Sequence, residues 1–211
     1  MNKNLTELVF ILDRSGSMAN LEEDTIGGFN SFIKKQKKEA GIATVTTVLF
    51  DDQFSVIYEN ADITKIKPLT QKEYYARGMT ALFDAIGKTV NMVGNRHKFA
   101  PPEQIPSKTM VVIITDGCEN ASREYNLHQI KAIIERQKEK YGWEFIFLGA
   151  NIDAISTASD MGISTDRAAT YRADKKGTQM NFDAVGSVAC DMRASRPIRA
   201  NWKEEIEKHN K

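Results

Sequence analysis

The chain has 211 residues, of which 41% are hydrophobic and 27% charged, and this suits one globular domain with a substantial core. Its 29 basic and 28 acidic side chains nearly balance, so no overall field points to nucleic acid or to a membrane surface. Two cysteines, Cys118 and Cys190, are too few for a disulfide framework and indicate inert thiols in a reducing compartment.

The first apolar run does not resemble a targeting segment. Residues 8–12 are fewer than a secretion signal needs, and no small-residue cleavage site follows them. No segment approaches the roughly 20 apolar residues of a membrane span. We therefore expect a soluble, cytoplasmic protein.

The N-terminal third predicts a strand, a helix and a hairpin. Residues 5–12 are almost continuously apolar, which is typical of a strand buried on both faces. Apolar residues at helical spacing predict a helix over about residues 21–40. Residues 43–50 and 54–58 read as strands, and the three residues between them imply a hairpin and hence one antiparallel edge strand.

The middle of the chain predicts a second helix and a second buried strand. Residues 59–79 are expected to be irregular, and Thr80 is expected to open the helix. Residues 94–108 hold three of the five prolines and predict a loop, either a plain connector or a partner contact. Residues 109–115 form an apolar run that ends at Asp116, as the first strand ends at Asp13.

The remaining chain continues the alternation of strands and helices. Helices are predicted over about residues 126–140, 153–161 and 178–193, and strands over residues 143–149 and 168–172. Residues 1–193 are predicted to form a single domain, and residues 194–211 a loosely packed C-terminal tail.

This order predicts an α/β fold. We expect a doubly wound, mostly parallel six-stranded sheet with one antiparallel edge strand and helices on both faces. Ligands of such folds bind outside the carboxyl ends of the strands. Asp13 and Asp116 lie at such ends, so their carboxylates converge if the two strands are neighbours.

Three short stretches carry the candidate chemistry. They are Asp13-x-Ser15-x-Ser17, Gly78-Met79-Thr80 and Thr115-Asp116-Gly117. Two carboxylates and three hydroxyls are hard oxygen donors, which suit Mg²⁺, or Mn²⁺ or Ca²⁺, better than zinc. Neutral hydroxyls leave the charge of such an ion partly uncompensated, so an open position should attract an anion such as a partner's carboxylate.

The same stretches resemble the metal-ion-dependent adhesion site (MIDAS) of von Willebrand factor type A (VWA) domains, and the resemblance covers about residues 5–190. It implies that Ser15, Ser17 and Thr80 bind the ion directly or through water. It implies that Asp13 and Asp116 act largely through waters, while a partner's Asp or Glu supplies the last oxygen. Because extracellular members often carry disulfides and secretion signals, the chain looks more like stand-alone intracellular bacterial or phage members. The expected function is divalent-metal-dependent protein binding rather than catalysis.

Each feature also has a plainer interpretation. Taken singly, the three stretches fit turns or helix N-caps. Arg14 points either at the ligand or into solvent, and Glu119 and Asn120 either line the rim or lie in a solvated loop. A basic cluster near the tail either contacts nucleic acid or forms a solvated surface; it comprises Arg193, Arg196, Arg199 and Lys203. The three histidines share no ligand spacing and are expected to have no function; they are His97, His128 and His209.

Three other functions are weaker. A Mg²⁺-dependent phosphotransferase of haloacid-dehalogenase type needs a second Asp two residues after the first, where this chain has Ser15. A Ser-His-Asp hydrolase lacks its Gly-x-Ser-x-Gly elbow. An RNA-associated VWA factor remains open, although the balanced charge argues against nucleic-acid binding by this chain alone.

Overall fold

The structure, a computed structural model, describes residues 1–210. Its strands are β1 (Asn2–Asp13), β2 (Ile42–Phe50), β3 (Phe54–Asp62), β4 (Pro106–Thr115), β5 (Glu144–Ala150) and β6 (Ala168–Tyr171). Its helices are α1 (Glu22–Gln36), α2 (Leu82–Phe99), α3 (Leu127–Tyr141), α4 (Ala154–Asp160), α5 (Lys175–Arg193) and α6 (Glu204–Asn210). The sheet order is β3-β2-β1-β4-β5-β6; β3 pairs antiparallel with β2, and the other pairs are parallel. The predicted doubly wound, mostly parallel sheet with one antiparallel edge strand is confirmed.

The central strand β1 is buried on both faces, as its apolar run predicts. Leu8, Phe10 and Leu12 belong to the core that α1 and α5 cover, whereas Val9 and Ile11 belong to the core under α2 and α3. Two hydrophobic layers therefore clamp the strand that ends at Asp13, which gives its carboxyl end a fixed position.

The helix α1 ends at Gln36, and the predicted end near residue 40 was wrong. The guanidinium of Arg193 donates hydrogen bonds to a set of main-chain carbonyls at this end, those of Gln36, Glu39, Ala40 and Gly41. A cation is favourable at a helix C-terminus, where the last carbonyls lack partners. This long-range contact is invisible in the local sequence.

The predicted loop over residues 94–108 was also wrong. The helix α2 continues to Phe99, a short 3-10 helix spans Pro102–Gln104, and β4 already begins at Pro106. Proline is tolerated as the first residue of a strand and just after a helix, so the three prolines mark boundaries here. Likewise, β3 extends to Asp62 within the stretch that was expected to be irregular.

The segment after residue 193 packs against the domain, so the expected loose packing was wrong for its described part. Trp202 and Ile206 are buried, and the Trp202 indole Nε1 donates to the Asp166 carbonyl at 2.8 Å. The basic cluster of this region is engaged internally. Arg196 and Arg199 pair with Asp191, and Lys203 donates to the carbonyls of Thr165 and Ala168. This cluster therefore gives no support to nucleic-acid binding.

No helix within residues 1–210 is both long enough and apolar enough to cross a membrane.

The helix α5 contains a buried amide whose replacement should stabilise the protein. Asn181 is 0% exposed, and neither its Oδ1 nor its Nδ2 has a hydrogen-bond partner within the described residues. Burying an unpaired amide is unfavourable, so Asn181→Leu should raise the free energy of unfolding by about 1–2 kcal/mol. The matched control is Asn30→Leu, because Asn30 exchanges two hydrogen bonds with the Leu69 backbone and its loss should destabilise. Urea unfolding of both variants tests this, and a loss of stability in Asn181→Leu would contradict it.

Candidate metal centre

The candidate site lies where the chain order of the sheet reverses. From β1 the chain moves outward through β2 and β3, and it then returns to add β4 on the other side of β1. Asp13 is the last residue of β1, and Asp116 follows the last residue of β4. Because β1 and β4 are parallel neighbours, both acids reach the same crevice at the carboxyl edge of the sheet.

Asp13 is buried, and each of its two carboxyl oxygens accepts a hydrogen bond. Its Oδ1 accepts from the Ser15 backbone N–H at 2.7 Å, and its Oδ2 accepts from the Thr115 hydroxyl at 2.6 Å. Burial outweighs these contacts and, with a smaller contribution from the negative charge of Asp116, raises the pKa of Asp13 to about 6. A buried carboxyl group of this kind would gain from a nearby cation.

The two serines of the first stretch point toward the second acid. The Ser15 and Ser17 hydroxyl oxygens are 3.1 Å apart, and the Ser17 hydroxyl donates to Asp116 Oδ1. Ser15 and Asp116 are buried, whereas Ser17 is exposed at the mouth of the crevice. Burial raises the pKa of Asp116 as well. Four of the five candidate ligands are thus linked, and they open to solvent on one side.

Thr80, the fifth candidate ligand, reaches the same place from a different loop. A Cβ added at Gly117 would lie 3.4 Å from both Ser17 Oγ and Thr80 Oγ1, so the two hydroxyls flank this glycine. Thr80 does not cap α2, whose N-cap is Ala81. Instead its backbone N–H donates to Asn120 Oδ1 at 2.9 Å, and its carbonyl accepts from the Asn120 N–H at 3.0 Å.

The loop after β4 is held by hydrogen bonds of Glu119 and Asn120, which does not agree with the interpretation of these two residues as part of a solvated loop. The Glu119 carboxylate accepts from the Phe83 backbone N–H at 2.8 Å, at the start of α2. Asp84 accepts in turn from three backbone N–H groups, those of Arg123, Glu124 and Tyr125. Burial opposes the ionisation of Asp84, but these donors outweigh it and lower its pKa. The loop that carries Asp116 is therefore fastened to the helix that follows Thr80.

Arg14 neither points at the site nor lies in solvent, so both interpretations of this residue were wrong. Its side chain is buried, and its Nε donates to Asp51 Oδ2 at 2.9 Å while its Nη2 donates to the Ser55 hydroxyl at 2.9 Å. Within the first stretch the side chains therefore alternate in direction. Asp13, Ser15 and Ser17 face the crevice, and Arg14 faces the hairpin of β2 and β3.

Two buried residues, to which the sequence pattern assigns no role, support the site from below. The Tyr74 hydroxyl donates to the Asp13 carbonyl, and the Thr115 hydroxyl holds Asp13 Oδ2 while also accepting from the Gly117 N–H at 3.3 Å. Burial raises the pKa of Tyr74 well above its usual value, so it remains a neutral donor. Thr115 was identifiable as part of its stretch, but nothing local signals Tyr74.

The donor set fits a hard divalent cation. Hydroxyl and carboxylate oxygens are the ligands that Mg²⁺, Mn²⁺ and Ca²⁺ prefer. Within residues 1–210 no group of three or more His, Cys, Asp or Glu side chains is arranged to hold a metal ion. An ion in the crevice would therefore depend on the hydroxyls of Ser15, Ser17 and Thr80 together with the two acids.

Comparison with known proteins shows the fold. No family model and no curated protein matches the chain. Among solved structures, the VWA protein of Catenulispora acidiphila superimposes with a TM-score of 0.59 and 15% identity, over 90% of this chain and 43% of that one. The chain has a VWA-type fold.

Two further structures extend the comparison. Proximal thread matrix protein 1 of the mussel byssus, in a form whose MIDAS motif is occupied by zinc, gives a TM-score of 0.60 at 17% identity, over 89% of this chain and 46% of that one. The pilus adhesin SpaC of Lactobacillus rhamnosus GG gives a TM-score of 0.70 at 11% identity, over 91% of this chain and 31% of that one. This VWA-fold chain spans less than half the length of these three structures.

Proposed function

We propose that this VWA-fold protein binds a divalent metal ion at a MIDAS-type site and uses it to bind a protein partner through an acidic side chain. The observation that carries the proposal is the meeting of five oxygen-bearing side chains from three loops at one crevice; they are Asp13, Ser15, Ser17, Thr80 and Asp116. The zinc-occupied MIDAS of the mussel protein supports metal binding by this fold. For this oxygen-only set we propose Mg²⁺, with Mn²⁺ or Ca²⁺ as alternatives.

Each element of the site has a physical role in this proposal. The Asp13 and Thr115 contact, together with the Tyr74 hydroxyl, fixes the floor of the crevice. The exposed Ser17 marks the side from which a ligand arrives. When bound, a divalent ion would supply a positive centre that three neutral hydroxyls leave only partly compensated. A carboxylate is the anion that a protein partner can present there.

We propose that the protein acts by binding and is not an enzyme. The residue two positions after Asp13 is Ser15, whose hydroxyl contacts Ser17, so the general acid of a haloacid-dehalogenase-type phosphotransferase has no counterpart there. We also propose a reducing, cytoplasmic location, with which the free thiols of Cys118 and Cys190 are compatible.

Calorimetric titration with Mn²⁺ or Mg²⁺ tests the proposal, with acetate as the carboxylate probe. Wild type should bind about one ion, and acetate should tighten ion binding, because each ligand must raise the affinity for the other by the same factor. Asp116→Ala should lose ion binding, because it removes an acid from the crevice while the hydrophobic layers remain. The control Ser187→Ala removes an exposed hydroxyl on α5 and should bind as wild type does.

Two results would contradict the proposal. The first is wild-type protein that binds no divalent ion with or without acetate. The second is an affinity that is identical in wild type and Asp116→Ala, because the ion would then bind elsewhere.

A further inference from the structure

A third strand end, next to the candidate ligands, carries a buried acid. Asp51 follows β2 directly and is 0% exposed. Its Oδ2 accepts from the guanidinium Nε of Arg14 at 2.9 Å and from that of Arg77 at 2.7 Å. Its carbonyl oxygen accepts from the Ala81 N–H at 3.0 Å, and its Oδ1 accepts from the Gln53 N–H. Within the described residues, none of these atoms is hydrogen-bonded to the side chain of a candidate ligand.

The partners of Asp51 are the immediate chain neighbours of candidate ligands. Arg14 precedes Ser15, and Ala81 follows Thr80. The two loops are also joined through their backbones, because the Arg77 N–H donates to the Arg14 carbonyl at 2.9 Å and the Gly16 N–H donates to the Gly78 carbonyl at 3.1 Å. One carboxylate thus anchors both the loop of Ser15 and Ser17 and the loop of Thr80.

The surroundings of Asp51 keep this anchor rigid. The two guanidiniums lie 5.6 Å and 5.4 Å from the centre of the Tyr75 ring, so the aromatic side chain covers both cations. Gly78 has a φ of +67°, a backbone conformation that favours glycine, and a Cβ there would lie 3.3 Å from Asp51 Cβ, so this loop passes close to the buried acid. Buried ion pairs often add little net stability, and fixing one geometry is a role that they fill in some proteins.

We propose that Asp51 is a positioning residue of the metal site: it sets the separation between the Ser15 and Thr80 hydroxyls and thereby the affinity for the ion. This inference rests on the proposed function. Residues that orient metal ligands without touching the metal typically change the affinity by about 10–100-fold when they are replaced. Asp51→Asn keeps the shape of the side chain but removes the charge that holds both guanidiniums.

Mn²⁺ titration of three proteins tests the inference, and each protein is also unfolded thermally in EDTA. Asp51→Asn should weaken Mn²⁺ binding by about 10–100-fold relative to wild type. The matched control is Glu7→Gln, which removes another fully buried, arginine-paired carboxylate from the middle of β1, six residues before Asp13. It should lower the unfolding temperature and leave the Mn²⁺ affinity unchanged. If Asp51→Asn does not fold, Arg77→Gln takes its place, because this arginine is partly exposed and should weaken Mn²⁺ binding in the same direction.

The outcomes separate this inference from the proposed function. Equal Mn²⁺ affinity in wild type and Asp51→Asn would overturn the positioning role and leave the proposed function intact. Parallel losses of affinity in Asp51→Asn and Glu7→Gln would also overturn it, since general destabilisation would then explain both. Wild-type protein that binds no ion would overturn the proposed function and this inference with it.

Discussion

Asp13→Asn is expected to stabilise the metal-free protein by about 2 kcal/mol at pH 7–8 while abolishing divalent-ion binding. Burial holds the pKa of Asp13 at about 6, above the ordinary 3.8, so the folded state disfavours the ionised carboxylate. An Asn amide removes that charge. It keeps an oxygen to accept from the Ser15 N–H and has an NH₂ that can donate to the Thr115 hydroxyl.

The pH dependence of this prediction follows from the sign of the shift. A group whose pKa is raised on folding contributes stability below pH 3.8, and that contribution is lost as the pH rises through about 6. Wild type and Asp13→Asn should therefore differ most above pH 6 and converge near pH 4. For a chain of this length, about 2 kcal/mol corresponds to roughly 4–8 °C in unfolding temperature.

Thermal unfolding in EDTA between pH 4 and pH 8 measures this difference. The control is Asp84→Asn, the same change at a carboxylate whose pKa is lowered by three backbone donors, and it should destabilise at neutral pH. If Asp13→Asn has a lower unfolding temperature than wild type at pH 8, ionisation of the buried Asp13 carboxyl does not destabilise the folded state as we expect.

Glu7→Gln is expected to lower the free energy of unfolding by about 3 kcal/mol at pH 7. Glu7 is fully buried in β1, and its carboxylate contacts the Arg96 guanidinium, the His97 ring at 2.6 Å and the Thr46 hydroxyl at 2.8 Å. Breaking a buried ion pair from one side costs about 3–5 kcal/mol, and the lower end applies because Gln still accepts one hydrogen bond.

The effect of Glu7→Gln should vanish in acid. Burial opposes ionisation of Glu7, but its contacts with His97, Arg96 and Thr46 outweigh burial and lower its pKa below 4.5. A lowered pKa means that the stability is present above pH 4.5 and is lost as the pH falls through the folded-state value. Urea unfolding at pH 7 and at a series of values below pH 4.5 tests both parts, because the effect should disappear only as the pH passes the lowered folded-state pKa. The control Glu144→Gln breaks the partly exposed pair with Arg167 and should cost under about 1 kcal/mol. Equal losses of unfolding free energy in Glu7→Gln and Glu144→Gln would refute the prediction.

The parts of the fold that sequence predicted are those set by local patterns. The two apolar runs that end at Asp13 and Asp116 identified two strands of a mostly parallel sheet, whereas the direct pairing of these strands was only a condition and is supplied by the structure. The short turn before β3 identified the antiparallel edge. In the site, the spacing of Asp13, Ser15 and Ser17 was sufficient to expect side chains on one side of a turn.

The parts that sequence missed depend on contacts between distant residues. Arg14 was misread because its partner, Asp51, lies 37 residues away on another strand. The helix α1 was predicted too long because Arg193, over 150 residues later, binds the carbonyls at its end. Trp202, in the C-terminal segment, joins the main hydrophobic core, although the local sequence pattern there is weak. Prolines at 101, 102 and 106 were read as one loop, whereas each stands at the boundary of an element.

The most direct test of the central claim is thermal unfolding of wild type and Asp116→Ala with and without Mg²⁺ or Mn²⁺. An ion at 100 times its dissociation constant stabilises the folded state by about 2.7 kcal/mol, which for this chain is roughly 5–10 °C. We expect this rise in wild type, no rise in Asp116→Ala, and reversal by EDTA. Equal unfolding temperatures of wild type with and without either ion, or the same rise in both proteins, would contradict a divalent-metal site at this crevice.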